Sequence, residues 1–367
     1  MHRLAFSKKY EFILSHPDPI FTFDLQVPIL KFFRFFLLIL IVLMLPFAAA
    51  AWFYLGWMER PLPVTETIEY QVAPGMGVRK VAQVLSEKGV PVSGDLLALA
   101  ARAEEMLSGG KTDIHVGYYA LTPGTTPRQL LRMMVEGRVL QVEVRLIEGW
   151  TFKDWRRVIA AHEGLEHLST SLSDAELMAK IGMPGQAPEG MFFPATYRVS
   201  KYSSDLALFA YAAREMRTHL EREWNDRAEN LPYRSPYEAL IMASIVEKET
   251  GLERDRAMVA GVFVNRLRIG MRLDTDPTVI YGLGESYTGK LYRSNLRTDT
   301  PYNTYMRTGL PPTPIAMPSL ASLKAALHPA KTNAFYFVAK GDGSSHFSAT
   351  LAEHNQAVYR YLRSQGK

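Results

Sequence analysis

"SPYEALIMASIVEKET", Ser235 to Thr250, is the stretch on which the fold turns. Ser235 is a good N-cap, Pro236 suits the first helical position, and Glu238 is placed to close a capping box. An apolar run follows and ends in two glutamates and a lysine. At about 100° per residue, Glu249 projects between Met242 and Ile245 and near Val246, the apolar face of the helix. Glu247 projects near Leu240, Ala243 and Ser244, and Lys248 near Ser244 and Ile241. A carboxyl held against apolar neighbours resists ionisation and keeps its proton near neutral pH. Cleavage of a glycosidic bond needs such an acid, because the leaving oxygen must be protonated. The same residues also describe a solvated helix end, and spacing alone does not separate the two readings.

Downstream, "RAMVAGVFVNRLRIGM" predicts a second helix and "RLDTDPTVIYGLG" a loop with a short helix. "YNTYMRTGLPPTPIAMPS" is a long proline-rich loop, and "SLKAALHPA" a short helix. "AFYFVAKGDGSSHFSAT" predicts a β-hairpin with a Gly-Asp-Gly turn, and "LAEHNQAVYRYL" a closing amphipathic helix. His346 lies beside the hairpin turn as a candidate ligand-binding residue. His328 and His354 read as structural.

Upstream, three loosely similar units begin at Ala73 ("APGMGVRKVAQVL"), Thr122 ("TPGTTPRQLLRMM") and Glu148 ("EGWTFKDWRRVI"). Each has a glycine turn and then a helix with apolar residues three and four apart, such as Val78, Val81, Ala82 and Leu85. The strands "TIEYQVA" and "GYYAL" precede them. A small α+β module over residues 68–142 is expected, binding polymer or packing on a larger domain. "MERPLPVTETIE" is a proline-spaced linker before it. "GGKT" at Gly109 lacks the leading glycine of a phosphate loop, since that place holds Glu105.

Near the N-terminus, "FFLLILIVLMLPFAAAAWFYLGW" runs 23 residues, Phe35 to Trp57, without a charge. A helix of that length spans roughly 35 Å, enough to cross a bilayer. Lys31 and Arg34 precede it, so the positive-inside rule places the N-terminus in the cytoplasm and the rest outside. Trp52, Tyr54 and Trp57 suit the far interface. A cleaved signal peptide is the competing reading, because "FAAAAW" offers small residues.

The chain has 367 residues, 47% hydrophobic and 22% charged, with a net charge of +5 and no cysteine. Thiol nucleophiles, disulfides and cysteine metal sites are excluded. The mild positive charge suits an anionic surface. No nucleic-acid-binding motif is present, nor "HExxH" or "GxSxG", and the histidines lack ligand spacing. No metal, cofactor or nucleic-acid partner is expected.

"ASIVEKET", "VFVNRLRIGMRLDTDPTVIYG", "YNTY", "GLPPTPI" and "LKAALHPA" together resemble the endolytic murein transglycosylase (YceG-like) family. The anchor, the module at 68–142 and "EGMFFPATY" follow in the same order. The resemblance covers the chain from the anchor to Tyr361 and implies an α+β protein; with the cytoplasmic tail, which lies outside it, the expected divisions are a tail at 1–34, a transmembrane helix at 35–57, a linker at 58–67, a LysM-like module at 68–142 and a catalytic domain at 143–367. It implies a lyase of the plasma (inner) membrane that cuts the β-1,4 bond between N-acetylmuramic acid and N-acetylglucosamine, with Glu249 as the acid. It also implies peptidoglycan glycan strands as substrate, and peptidoglycan synthases and division proteins as protein partners. Asn265, Asp276, Thr278, Tyr281, Tyr302, Asn303 and Tyr305 match polar motif positions suited to a glycan groove. Two positions depart from the family pattern: Asp274 stands where glutamine is frequent, and Ala195 where aspartate is. A non-catalytic wall-binding or division scaffold, and a hydrolytic muramidase using Asp274 or Asp276 as second carboxylate, are the alternatives.

Overall fold

The computed structural model describes residues 26–110 and 113–364. Residues 1–25 of the expected tail lie outside them, as do Lys111 and Thr112 of "GGKT". The architecture is mixed α+β, and its strands are joined only in two-stranded pairs among the described residues. The chain divides into two compact units. Among the described residues, one comprises 26–68, 76–110, 113–114 and 121–135, and the other 69–75, 115–120 and 136–364.

The first unit begins with α1, Gln26–Glu59, a helix of 34 residues with Pro46 inside it. It starts upstream of the uncharged span and continues past it, roughly 51 Å in all. Its part from Phe32 to Glu59 is long and apolar enough to cross a membrane. Three helices follow: α2 (Val78–Glu87), α3 (Gly94–Ser108) and α4 (Pro127–Val135). The spacing argument holds for α2, which buries Val81, Ala82 and Leu85, while Val78 is only half-buried. Ser93 caps α3 by accepting from the Leu96 N–H. At Gly94 a Cβ would lie 3.3 Å from the Arg79 Cα, so α2 and α3 pack closely where glycine permits it. The proline-spaced linker is held in place. Leu62 and Val64 are buried, the Leu62 N–H donates to the Thr125 carbonyl at 2.8 Å, and Arg128 pairs with Glu59.

The second unit holds most of β1 (Ile68–Val72) and of β2 (Gly117–Leu121), which pair, and the Tyr70 and Tyr119 rings stack 5.6 Å apart. β3 (Gln141–Leu146) is followed by α5 (Phe152–Ala160), β4 (Leu165–Glu166) and α6 (Asp174–Lys180). β5 (Ala195–Ser200) returns antiparallel to β3, with Leu146 opposite Ala195. β6 (Ser203–Ser204) pairs parallel to β4 and leads into α7 (Asp205–Asn225). Trp155, Phe192, Phe209 and Leu146 form the core of this part.

The predicted helix is α8, Pro236–Glu249, and Ser235 caps it by accepting from the Glu238 N–H. The Glu238 carboxylate does not close a box on Ser235; it accepts from the Arg234 N–H at 2.6 Å, one residue earlier. The expectation of one apolar face is also corrected. Residues Ala239 to Val246 are all buried, because α8 is the central helix of its core. Packed around it are α7 and three further helices: α9 (Glu253–Arg268), α10 (Asp276–Leu283) and α12 (Leu320–Leu327). Ser244 is tolerated there because its hydroxyl donates to the Ile241 carbonyl and accepts from the Ile315 N–H. A short α11 (Arg293–Arg297) precedes the proline-rich loop. The hairpin forms as β7 (Tyr336–Ala339) and β8 (Ser345–Ser348), and α13 (Leu351–Ser364) closes the chain. Gly261 on α9 lets the segment after α12 approach, since a Cβ there would meet the Ala330 carbonyl at 2.6 Å.

Candidate active site

α8 stops at Glu249 because Thr250 turns extended, with φ −144° and ψ 130°. The two glutamates of the helix end then have separate surroundings. Glu247 accepts from both the N–H and the hydroxyl of Ser319, at 2.9 and 2.5 Å. Ser319 is the N-cap of α12, so Glu247 fastens one core helix to another. Lys248 donates to the Gly149 carbonyl at 3.1 Å. Glu249 turns instead toward the loop before α10, where its Oε1 accepts the Thr275 hydroxyl. Burial pushes the Glu249 carboxyl up to about 7; the Thr275 hydrogen bond and the Arg266 guanidinium work against that rise, and nearby Asp276 adds to it. A carboxyl at that position is half-protonated near neutrality and can give or take a proton.

The loop carrying Thr275 is anchored by Arg266, a residue that spacing arguments passed over. Arg266 is 7% exposed and projects from α9 between two segments. Its Nε donates to the Phe335 carbonyl at 2.7 Å and its Nη1 to the Leu273 carbonyl at 2.7 Å. Asp274 lies 3.9 Å from Arg266 and 3.7 Å from Arg272, and has φ +46°, a left-handed conformation that aspartate tolerates better than most residues. Burial raises its carboxyl and the two arginines oppose the rise. The departure at Asp274 therefore comes with arginine partners. Ala195, the other departure, opens β5.

The polar residues expected to line a groove divide into two groups. Asp276, Tyr281, Tyr302 and Tyr305 are brought together around α10. The Tyr305 hydroxyl donates to Asp276 Oδ1 at 2.7 Å, and the Tyr281 and Tyr302 rings meet edge to face at 4.8 Å. Asp276 and Tyr281 are five residues apart, roughly 7.5 Å along the helix axis. Tyr281 and Tyr302 line a cleft of about 950 Å³ with Glu189, Asp154, Arg157 and Lys153.

Asn265, Thr278 and Asn303 spend their side chains on hydrogen bonds to the scaffold. Asn265 donates to the Thr332 and Ala334 carbonyls at 2.9 and 3.0 Å. Asn303 is fully buried; its amide nitrogen faces the carbonyls of Asn295, Leu296 and Thr298, and its oxygen accepts from the Tyr305 N–H. Thr278 is fully buried and donates to the Thr275 carbonyl. Buried loop backbone needs such donors, and short polar side chains supply them. His346 stands apart on β8, lining a smaller cavity of about 300 Å³ with Val338, Arg360 and Tyr361.

Glu189, in the segment "EGMFFPATY", is the second carboxyl pushed well above its usual range, and no pattern in the sequence singles it out. It is 6% exposed, accepts from the Phe152 N–H with both oxygens, and takes the Tyr281 hydroxyl at 3.1 Å. Burial pushes it up to about 7, against those hydrogen bonds. A folded-state value above the usual 4.5 means that the folded protein keeps a proton the unfolded chain has lost. Stability on this account is fully present below about pH 4.5, falls as pH rises toward 7, and stays lower above, by roughly 3 kcal/mol. Melting of the full chain in detergent from pH 4.5 to 8 measures this. Glu189→Gln is expected to flatten that decline, and identical slopes would refute it.

Comparison with known proteins adds the ancestry. The model of the YceG-like family matches residues 70–360. A Bacillus subtilis protein called endolytic murein transglycosylase is 40% identical over 180 residues, 49% of each chain. A Streptococcus pneumoniae protein of the same name is 24% identical over 330 residues, 80% of this chain and 58% of that one. The matched region thus spans between about half and three-fifths of these relatives. A crystal structure of a yceG-like protein from Listeria monocytogenes matches with a TM-score of 0.49 at 28% identity, over 80% of this chain and 99% of that one. With the family model covering most of its length, the chain belongs to the YceG-like family.

Proposed function

We propose that the protein is a membrane-anchored endolytic lytic transglycosylase of peptidoglycan. The observation that carries this reading is Glu249, at the end of a buried helix, held near neutral by burial and bonded to Thr275. Relatives named endolytic murein transglycosylase support the same reading.

In this mechanism the Glu249 proton passes to the glycosidic oxygen as the bond from the muramic acid C1 to that oxygen breaks. The resulting carboxylate takes the proton of the C6 hydroxyl of the same muramic acid. The C6 oxygen then bonds to C1 and closes a 1,6-anhydro ring. One bond breaks, one forms, Glu249 ends protonated and no water is consumed. One carboxyl thus serves both steps. Asp276, Tyr281, Tyr302 and Tyr305 line the path of the glycan, and the cleft beside Glu189 extends it.

The apolar α1 anchors the chain in the plasma (inner) membrane, with residues 1–34 cytoplasmic and everything beyond residue 58 outside. Residues 68–142, read as a LysM-like module, hold glycan for the domain at 143–367. Peptidoglycan synthases and division proteins are the partners this placement suits, and cutting inside nascent strands terminates or releases them.

A hydrolytic muramidase is the second reading, favoured by one observation: Asp276 is close enough to Glu249 to raise its proton affinity. Purified full chain in detergent, incubated with uncrosslinked glycan, tests the enzymatic reading. Internal fragments are expected; binding without cutting would favour a scaffold.

A further inference from the structure

Three threonines stand behind Glu249, and their hydroxyl protons can be assigned one at a time. The Thr278 hydroxyl lies 2.7 Å from the Thr275 carbonyl, which can only accept. Its single proton is therefore committed there. The Thr278 and Thr304 hydroxyl oxygens are 2.8 Å apart, so in that pair Thr304 donates. The Thr304 oxygen also accepts from the Thr275 N–H at 3.1 Å. Thr275, Thr278 and Thr304 are each 2% exposed or less, so water does not compete.

The remaining proton is that of the Thr275 hydroxyl, whose one side-chain partner among the described residues is Glu249 Oε1. If Glu249 donated to Thr275 instead, the Thr275 proton would be buried without an acceptor, which is costly. Oε1 is therefore the accepting oxygen, and the acid proton sits on Oε2.

We infer that Thr275, fixed by Thr304 and Thr278, is a positioning residue that keeps the acid proton of Glu249 on Oε2 and stabilises the carboxylate once the proton has left. This rests on reading Glu249 as the acid. The helix of the carboxyl and the loop of the threonine come from separate segments, so the arrangement depends on the tertiary fold around α8 and α10. The device suits a group that must serve as acid and then as base, since one oxygen is reserved for proton transfer throughout.

The test is the pH dependence of glycan cleavage by the full chain in detergent. Thr275→Val keeps the shape and removes the proton, and should lower kcat/KM about 10- to 100-fold. It should also move the basic limb of the profile to higher pH, because ionised Glu249 has lost a donor. Thr275→Ser should restore the limb and most of the rate. A structural role alone would leave the limb in place and give serine no advantage over valine. A wild-type rate or limb in Thr275→Val, with Glu249→Gln inactive, would overturn the threonine role and leave the acid standing. Full activity in Glu249→Gln would remove both. Should Thr275→Val fail to fold, Thr304→Val is measured instead; a smaller shift in the same direction is expected, and none would overturn the inference.

Discussion

Glu249→Gln is expected to abolish glycan cleavage while leaving the fold intact. Size and shape are kept, an oxygen still accepts from Thr275, and only the transferable proton is lost. Removal of a positioned general acid costs about 10²- to 10⁴-fold in rate, and more where the same group returns as base. Glu247→Gln is the contrast. Its carboxylate receives two hydrogen bonds from Ser319 at the start of α12, so the loss falls on stability, about 1 to 2 kcal/mol. Cleavage below the melting temperature should stay near wild type. Rates and melting curves for both variants separate the two glutamates, and the opposite assignment of effects would refute the account of the helix end.

Arg266→Ala should give the largest loss of stability, about 3 to 5 kcal/mol. The guanidinium is buried and binds the Leu273 and Phe335 carbonyls. Its removal leaves those carbonyls short of donors and Asp274 without its deeper arginine. The same change loosens the loop that presents Thr275, so cleavage should fall with stability. Arg266→Lys is expected to recover only part, because a lysine cannot reach both carbonyls with a rigid fork. Denaturant unfolding of the full chain in detergent measures both, and a loss under 1 kcal/mol in the alanine variant would contradict the anchoring role.

Much of this was legible along the chain. The cap at Ser235, the helix to Glu249, the hairpin around Gly341 and the apolar N-terminal helix all carry local signals, and local signals specify local structure. The separation of Glu247 from Glu249 followed from helical geometry. What α8 packs against did not. Its small residues permit burial on every side, and only the tertiary arrangement says that α7, α9, α10 and α12 provide it.

The polar motif residues were harder to place for a physical reason. A polar residue such as Asn303 in its loop or Asn265 on α9 looks available for ligand in a sequence. In the fold, buried carbonyls compete for the same amide hydrogens and win. Thr275 and Arg266 lay inside quoted motifs, but their partners, Glu249 and the Phe335 carbonyl, are 26 and 69 residues away. Pairing over such distances leaves no periodic trace.

Cleavage by Glu249 is proposed to consume no water. Full chain in detergent is incubated with uncrosslinked glycan in isotopically heavy water, and the masses of the new ends are read. The account predicts anhydro-muramic ends on fragments cut from within the strand, without heavy oxygen. Ends heavier by one water and carrying the label would contradict it, and would point to hydrolysis.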